Sequence, residues 1–416
     1  MPRRRASVEP LVVGLLGGIS VASTLLFLIL LAKEGGGAFA VFYQAATTLS
    51  HGGTPYHIVN GVALDQAFQY LPWVAIALLP VSHLAFGIAF PIWIVVSGAL
   101  VLISTGLVAH TLGWNRWWPL VAGVALSSVL WRCLLTGQMD GFVLTLESLA
   151  ILGAVRRRPA ASGALAAAAA LLKPQLLWLF PVVLFVAMLR EREARRFAIG
   201  AIAAGLLLLG IPALVYPSLL PDWGRAIGSF ASSIAAVQPD LAGLPGLLRF
   251  APASYHLAPS LTSPVTLIIV STGLGLIGWL GWRTGAGSMW TRLPPSTRLV
   301  WAVMLPVGVW FLVSPYSHSN DMLVLVPLLV VALGPNGVDA HTPQGVATLA
   351  ALIILPEFSL YLNPSQLVGR LSIASVAVLA LVLFAWSRSP WRDSTERARD
   401  LAAGPRPGLT DPRTGS

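Results

Sequence analysis

Three short motifs carry side chains that packing alone does not need. SPYSHSND (314–321) sets His318 three residues before Asp321, a spacing that puts both on one face if the segment turns as a helix. A second role is open to Asp321, as the cap of that helix. LLTGQMDG (134–141) brings Gln138 and Asp140 to a short connection, and ALLKPQLLWLFP (170–181) strands Lys173 in an apolar run. Carboxylates and an imidazole are the groups that take a proton from a hydroxyl, and buried cations are the groups that stabilise developing anionic charge. GxxxxGK[ST], HExxH, CxxC and DxD motifs are all missing from the chain. That argues against nucleotide-driven pumping, metalloprotease chemistry and a nucleotide-sugar site.

The elements that must hold these groups are membrane helices. Of 416 residues, 56% are hydrophobic and only 10% charged, and the mean hydropathy is +0.78. A soluble chain carries roughly a quarter charged residues. Thirteen apolar runs lie between residues 10 and 386, many of them of the length that crosses a bilayer. The first, residues 10–32, is too long for the core of a signal peptide and reads as an uncleaved span.

The net charge of +10 does not point to nucleic acid, because 20 of the 26 basic residues fall in six clusters: Arg3–Arg5, Arg116, Arg156–Arg158, Arg190–Arg196, Arg283–Arg298 and the tail from Arg388. Such clusters at helix ends mark a cytoplasmic face. Keeping them all on that face requires one run not to cross, and 71–89, with Pro72, Pro80 and His83, is the best candidate for an interfacial or re-entrant segment. The expectation is an all-α polytopic bundle of about twelve spans. Its single membrane domain covers residues 1–386, the tail 387–416 is disordered, and both termini are cytoplasmic. Residues 118–135 form one span, and 161–189 a hairpin broken at Lys173-Pro174, since proline interrupts a helix. The lone Cys133 reads as a packed thiol.

On this map the outer face collects two long loops, 33–70 and 217–263, with short amphipathic helices in them. Six basic residues lie outside the cytoplasmic clusters: Lys33, Arg132, Lys173, Arg225, Arg249 and Arg370. Beside them map Glu34, Asp65, Asp140, Asp222, Asp240 and Asp321, with His51, His57, His256 and His318. An ionisable group at membrane depth costs at least about 2.5–3.5 kcal/mol and so normally has a partner or a task. Six cations on one face suggest anion binding.

The order of FAVFYQAATTLSHGGTPY, FQYLPW, LLTGQMD, AAALLKPQLLWLFP and SPYSHSNDMLVLVP resembles glycosyltransferase family 87, over about residues 10–386. These are GT-C type membrane enzymes that include the polyprenol-phosphate-mannose-dependent alpha-1,2-mannosyltransferases. The resemblance implies a plasma-membrane, multi-pass enzyme with an extracytoplasmic site. Such an enzyme moves a hexose, mannose first, from a polyprenyl-phosphate donor to a glycan or glycolipid hydroxyl with inversion, and uses no metal or other cofactor. Lys173, Arg132, Arg249 and Arg370, with Gln138, His318, Asp321, Tyr43 and Tyr56, are then the candidate donor-phosphate and substrate ligands. Relatives carry an Asp before the aromatic helix of the first loop, in a pattern like DFxVYYxAA, as the presumed base; this chain has Ala38-Phe39 there. Asp140, where relatives tend to have Asn, and Glu34 are the two candidates to replace it, with Asp140 favoured by its short turn. A lipid-linked-glycan flippase and a catalytically inactive relative are the competing readings. The absence of an internal repeat between the halves speaks against the flippase.

Overall fold

The computed structural model describes residues 25, 29, 36–56, 68–115, 117–190, 192–233, 243–244, 264–283, 293–314, 317–318, 320–334 and 373–388. Glu34, Arg249 and Arg370 lie outside them, as do most of loop 217–263 beyond residue 233 and nearly all of the tail. Among the described residues the chain is all-helical. In order the helices are α1 Gly37–Ser50, α2 Pro72–Ala77, α3 Leu79–Ser82, α4 Phe86–Thr111, α5 Trp118–Ala125, α6 Ser128–Thr136, α7 Asp140–Val155 and α8 Pro159–Leu172. They continue as α9 Pro174–Leu177, α10 Leu179–Arg190, α11 Ala194–Val215, α12 Leu219–Ser233, α13 Pro264–Arg283, α14 Pro295–Val313, α15 Val326–Leu333 and α16 Ile373–Arg388. A 3-10 turn, Asn320–Leu325, leads into α15.

Three of these helices, α4, α11 and α14, are long and apolar enough to cross a membrane. Their places in the bundle differ. α14 is the central column, with Val303, Met304 and Leu305 fully buried. α11 is peripheral and turns Leu206, Leu207 and Leu214 outward, as a lipid-facing helix does. Segment 71–89 forms only the short helices α2 and α3 before α4 begins at Phe86. The expected single span 118–135 is not one helix. It breaks into α5 and α6 at Leu126-Ser127, where the Ser127 hydroxyl accepts from the Leu130 N–H and caps the second piece. A serine with extended backbone supplies the local acceptor that makes a new helix start cheaper than a continued one.

α8 begins with Pro159 at its first turn and runs through alanines, the best helix formers. Their small side chains let it lie hard against α11. A Cβ on Gly163 would fall 2.0 Å from the Phe197 carbonyl oxygen, and one on Gly200 would fall 1.9 Å from that of Ala160. On its other side α8 packs on α7, where Ser162 donates to the Ala150 carbonyl at 2.8 Å. Lys173 and Asp140 stand at the ends of α8 and α7 away from the Arg156–Arg158 connection. With 14 and 16 residues, these helices carry their ends only ~21 and ~24 Å from it at 1.5 Å per residue. That is less than the ~30 Å of a hydrocarbon core, so neither helix crosses it alone.

The glycine contact is testable. Gly163→Val or Gly200→Val is expected to force α8 off α11 and lower stability in detergent by more than the roughly 1–3 kcal/mol of ordinary overpacking. Gly205→Val, whose Cβ meets open space, should leave the thermal unfolding midpoint near that of the parent.

Candidate functional site

α8 ends where it does because Pro174 disfavours helical backbone in the residue before it. Lys173 accordingly adopts φ −132, ψ 75, and the chain restarts with the Leu176 and Leu177 N–H groups donating to the Lys173 carbonyl. α8 and α10 touch across this break, and the lysine side chain turns inward, 3% exposed.

Asp140 is delivered by a second break. α6 stops at Gly137, which has φ 73; the Gln138 N–H donates to Cys133 O at 2.9 Å and the Gly137 N–H to Leu134 O at 3.2 Å, the paired bonds of a Schellman end. Only glycine fits there on two counts, since an added Cβ would also lie 2.5 Å from the Phe39 Cβ. Trp93 Nε1 holds the Gly137 carbonyl at 3.0 Å. Three residues on, Asp140 opens α7 and is fully buried.

Asp321 comes from a third irregular piece, the start of the 3-10 turn. The sequence reading put His318 and Asp321 on one turn and left Asp321 a capping role; the structure closes one turn between them, with the capping contact formed. His318 precedes the turn in non-helical backbone. Asp321 Oδ2 accepts the His318 N–H at 2.7 Å, while the Asp321 N–H donates to the His318 carbonyl at 3.1 Å. Asp321 is thus a local cap, and the His318 imidazole lies within electrostatic reach of its carboxylate.

These three breaks converge. Lys173 Nζ donates to Asp140 Oδ1 at 2.7 Å and to Asp321 Oδ1 at 2.5 Å, bridging residues 33 and 148 positions away. All three side chains are 3% exposed or less. The cluster carries one more negative than positive charge, and two of the three ammonium donors are used. Isolated buried carboxylates would cost several kcal/mol each; a shared ammonium with further hydrogen bonds is what makes the burial tolerable.

Around the cluster stand Tyr70, Gln138 and Cys133. The Tyr70 hydroxyl donates to Gln138 Oε1 at 3.4 Å, and Cys133 Sγ lies 3.9 Å from Asp140 Oδ2. Burial pushes the phenols of Tyr56 and Tyr70 well above their ordinary range, so both remain protonated donors at neutral pH. No group of three or more metal-ligating side chains occurs among the described residues.

Of the residues singled out from sequence, Lys173, Asp140, Asp321 and Gln138 are brought together, with His318 beside them. Arg132 is half-buried on α6, the helix that packs on the 3-10 turn. Tyr43 is turned elsewhere: its hydroxyl donates to the Leu84 carbonyl at 2.7 Å and its ring stands edge-on to Phe86. Tyr56 acts at one remove, donating to the Tyr70 carbonyl at 2.7 Å. Tyr70 itself was missed, although FQYLPW was among the motifs noted; an aromatic amid aromatics carries no local mark of being polar in use.

The cluster should behave as one unit. Lys173→Met leaves two buried carboxylates unmatched and is expected to destabilise by roughly 3–5 kcal/mol. Combining it with Asp140→Asn and Asp321→Asn should recover most of that loss in a detergent melting assay.

The sequence profile of glycosyltransferase family 87 matches residues 68–315, more than half of the chain and including Asp140 and Lys173. No curated protein matches the chain. The chain belongs to glycosyltransferase family 87, a family of membrane glycosyltransferases.

Proposed function

We propose that this glycosyltransferase moves a hexose, mannose first among the candidates, from a polyprenyl-phosphate donor to a hydroxyl of an extracytoplasmic glycan or glycolipid. The observation that carries the reading is the Asp140–Lys173–Asp321 cluster at the ends of two helices too short to reach across the bilayer. A lipid-linked substrate presents its phosphate close to that depth, whereas a soluble nucleotide sugar does not.

Chemistry follows from the charges. Asp140 takes the proton of the acceptor hydroxyl as that oxygen bonds to the anomeric carbon from the face opposite the phosphate. The carbon–oxygen bond to phosphate breaks, its electron pair leaves on polyprenyl phosphate, and the anomeric centre is inverted. The excess negative charge of the cluster favours the positive charge that develops on the sugar ring. On accepting the proton the cluster becomes neutral while the leaving phosphate gains its charge. That phosphate is assigned to the remaining Lys173 donor and to Arg132, a cation on the helix that packs against the 3-10 turn.

Contacts between α1 and the α6–α7 connection support Asp140 as the base. The Gly36 N–H donates to Leu135 O at 2.8 Å and Phe39 abuts Gly137. Ala38, the position where relatives carry their Asp, therefore stands next to the connection that bears Asp140. The carboxylate lost from one side of this contact is supplied from the other.

Asp140→Asn is expected to lower turnover of polyprenyl-phosphate mannose by about 100-fold or more, with part of the rate restored by Ala38→Asp in the same protein. An unimpaired Asp140→Asn enzyme would exclude Asp140 as the base. For sidedness, cysteines introduced at the exposed positions His51 and Arg158 in a Cys133→Ala background should differ. The first should react with an impermeant maleimide on intact cells, and the second only after permeabilisation.

A further inference from the structure

Residues 68–73, the end of the first outer loop and the first two residues of α2, are tied down by three separate side chains. Tyr56 donates from the preceding loop to Tyr70 O at 2.7 Å. Trp223 Nε1 donates from α12 to Gln69 O at 3.1 Å. Trp73 Nε1 donates to Leu171 O at 3.3 Å, two residues before Lys173. The strap thereby links the Lys173 end of α8 to the Gln138–Asp140 connection, and Tyr70 is the side chain it delivers there.

Within this tightly held strap the Tyr70 hydroxyl is the loose end. Its ring is fixed edge-on against Phe42, with centroids 4.9 Å apart and planes at 77°, so the hydroxyl pivots only by its own torsion. Its bond to Gln138 Oε1 is 3.4 Å long, where an O–H···O bond normally runs ~2.7–2.8 Å. The phenol lies in electrostatic reach of Lys173, Asp140 and Asp321. A neutral donor beside a net-negative cluster, spending its hydrogen on a poor bond, gains by turning it to a better acceptor.

We infer that Tyr70 is a substrate-binding residue whose hydroxyl turns from Gln138 to an oxygen of the bound lipid-linked sugar, and that Trp223 is the positioning residue that fixes it through the Gln69 carbonyl. This rests on the cluster being the transfer site. α12 suits the second role. Leu219 is buried and Trp223 is half-buried, while Arg225 stands outward, paired with Asp222 at 2.5 Å. That leaves an amphipathic helix whose apolar side grips the strap.

The test is kinetic, on the purified full-length protein with polyprenyl-phosphate mannose as the probe, following both equilibrium binding and consumption. Tyr70→Phe is expected to lower kcat/KM by about 10-fold, the worth of one neutral hydrogen bond. A loss in KM assigns the partner to a sugar hydroxyl and a loss in kcat assigns it to the leaving phosphate. Trp223→Phe keeps an aromatic ring and deletes the indole N–H; a loss of about 3-fold is expected, and it should vanish in the Tyr70→Phe background. Trp223→His, which restores a ring N–H, should recover part of the rate.

A Tyr70→Phe enzyme within about twofold of the parent, beside an inactive Asp140→Asn enzyme, overturns this inference and leaves the site assignment standing. Full additivity of Tyr70→Phe and Trp223→Phe removes Trp223 from the chain of action. A parent protein that neither binds nor consumes the donor sinks both readings together.

Discussion

One ammonium between two carboxylates, all three out of water, is the constraint to which the rest of this protein answers. Charges at such depth are costly singly and tolerable together, so each must arrive within hydrogen-bond distance of the others. The three side chains come from distant parts of the chain. The fold brings them together with three interruptions: the Lys173-Pro174 break, the left-handed Gly137 end, and the 3-10 turn that begins beside Asp321. Every interruption also frees backbone groups, and each is resatisfied locally, by the Lys173 carbonyl, by the paired Gly137 and Gln138 bonds, and by the Asp321 side chain.

Interruptions hold their place only if the helices around them do not move. That rigidity comes from close backbone approach in an alanine- and glycine-rich zone, where α8 lies against α11 and α7. Lipid offers no hydrophobic incentive for such contacts, and small residues that let dispersion and interhelical hydrogen bonds act are the available substitute. Larger residues are used farther out: α14 fills the centre with Val, Met and Leu, and α11 presents leucines to the acyl chains. The result is a rigid floor beneath a buried charged cluster.

Above that floor the connections are held mainly by indole and phenol donors to main-chain carbonyls: Trp73 to Leu171, Trp93 to Gly137, Trp223 to Gln69 and Tyr56 to Tyr70. Aromatic residues at a membrane boundary have an apolar body and one polar tip, so a single side chain both packs and ties. They hold irregular backbone without adding charge next to a cluster that already carries one unmatched negative charge.

Much of this was legible from sequence. Low charge, clustered arginines and long apolar runs announce a helical membrane protein, because the bilayer punishes any other arrangement. Lys173, Asp140 and Asp321 stand out for the same reason, since a charge stranded in an apolar run needs an explanation wherever it sits. What no local pattern contains is that these three meet, across separations of 33 and 148 residues; packing of α7, α8 and the 3-10 turn decided that. Tertiary structure also settled the capping contact between His318 and Asp321, split residues 118–135 at Ser127, and turned Tyr43 away while bringing Tyr70 in. Those outcomes depend on which neighbours satisfy a hydroxyl or a backbone N–H, and spacing along the chain does not carry that information.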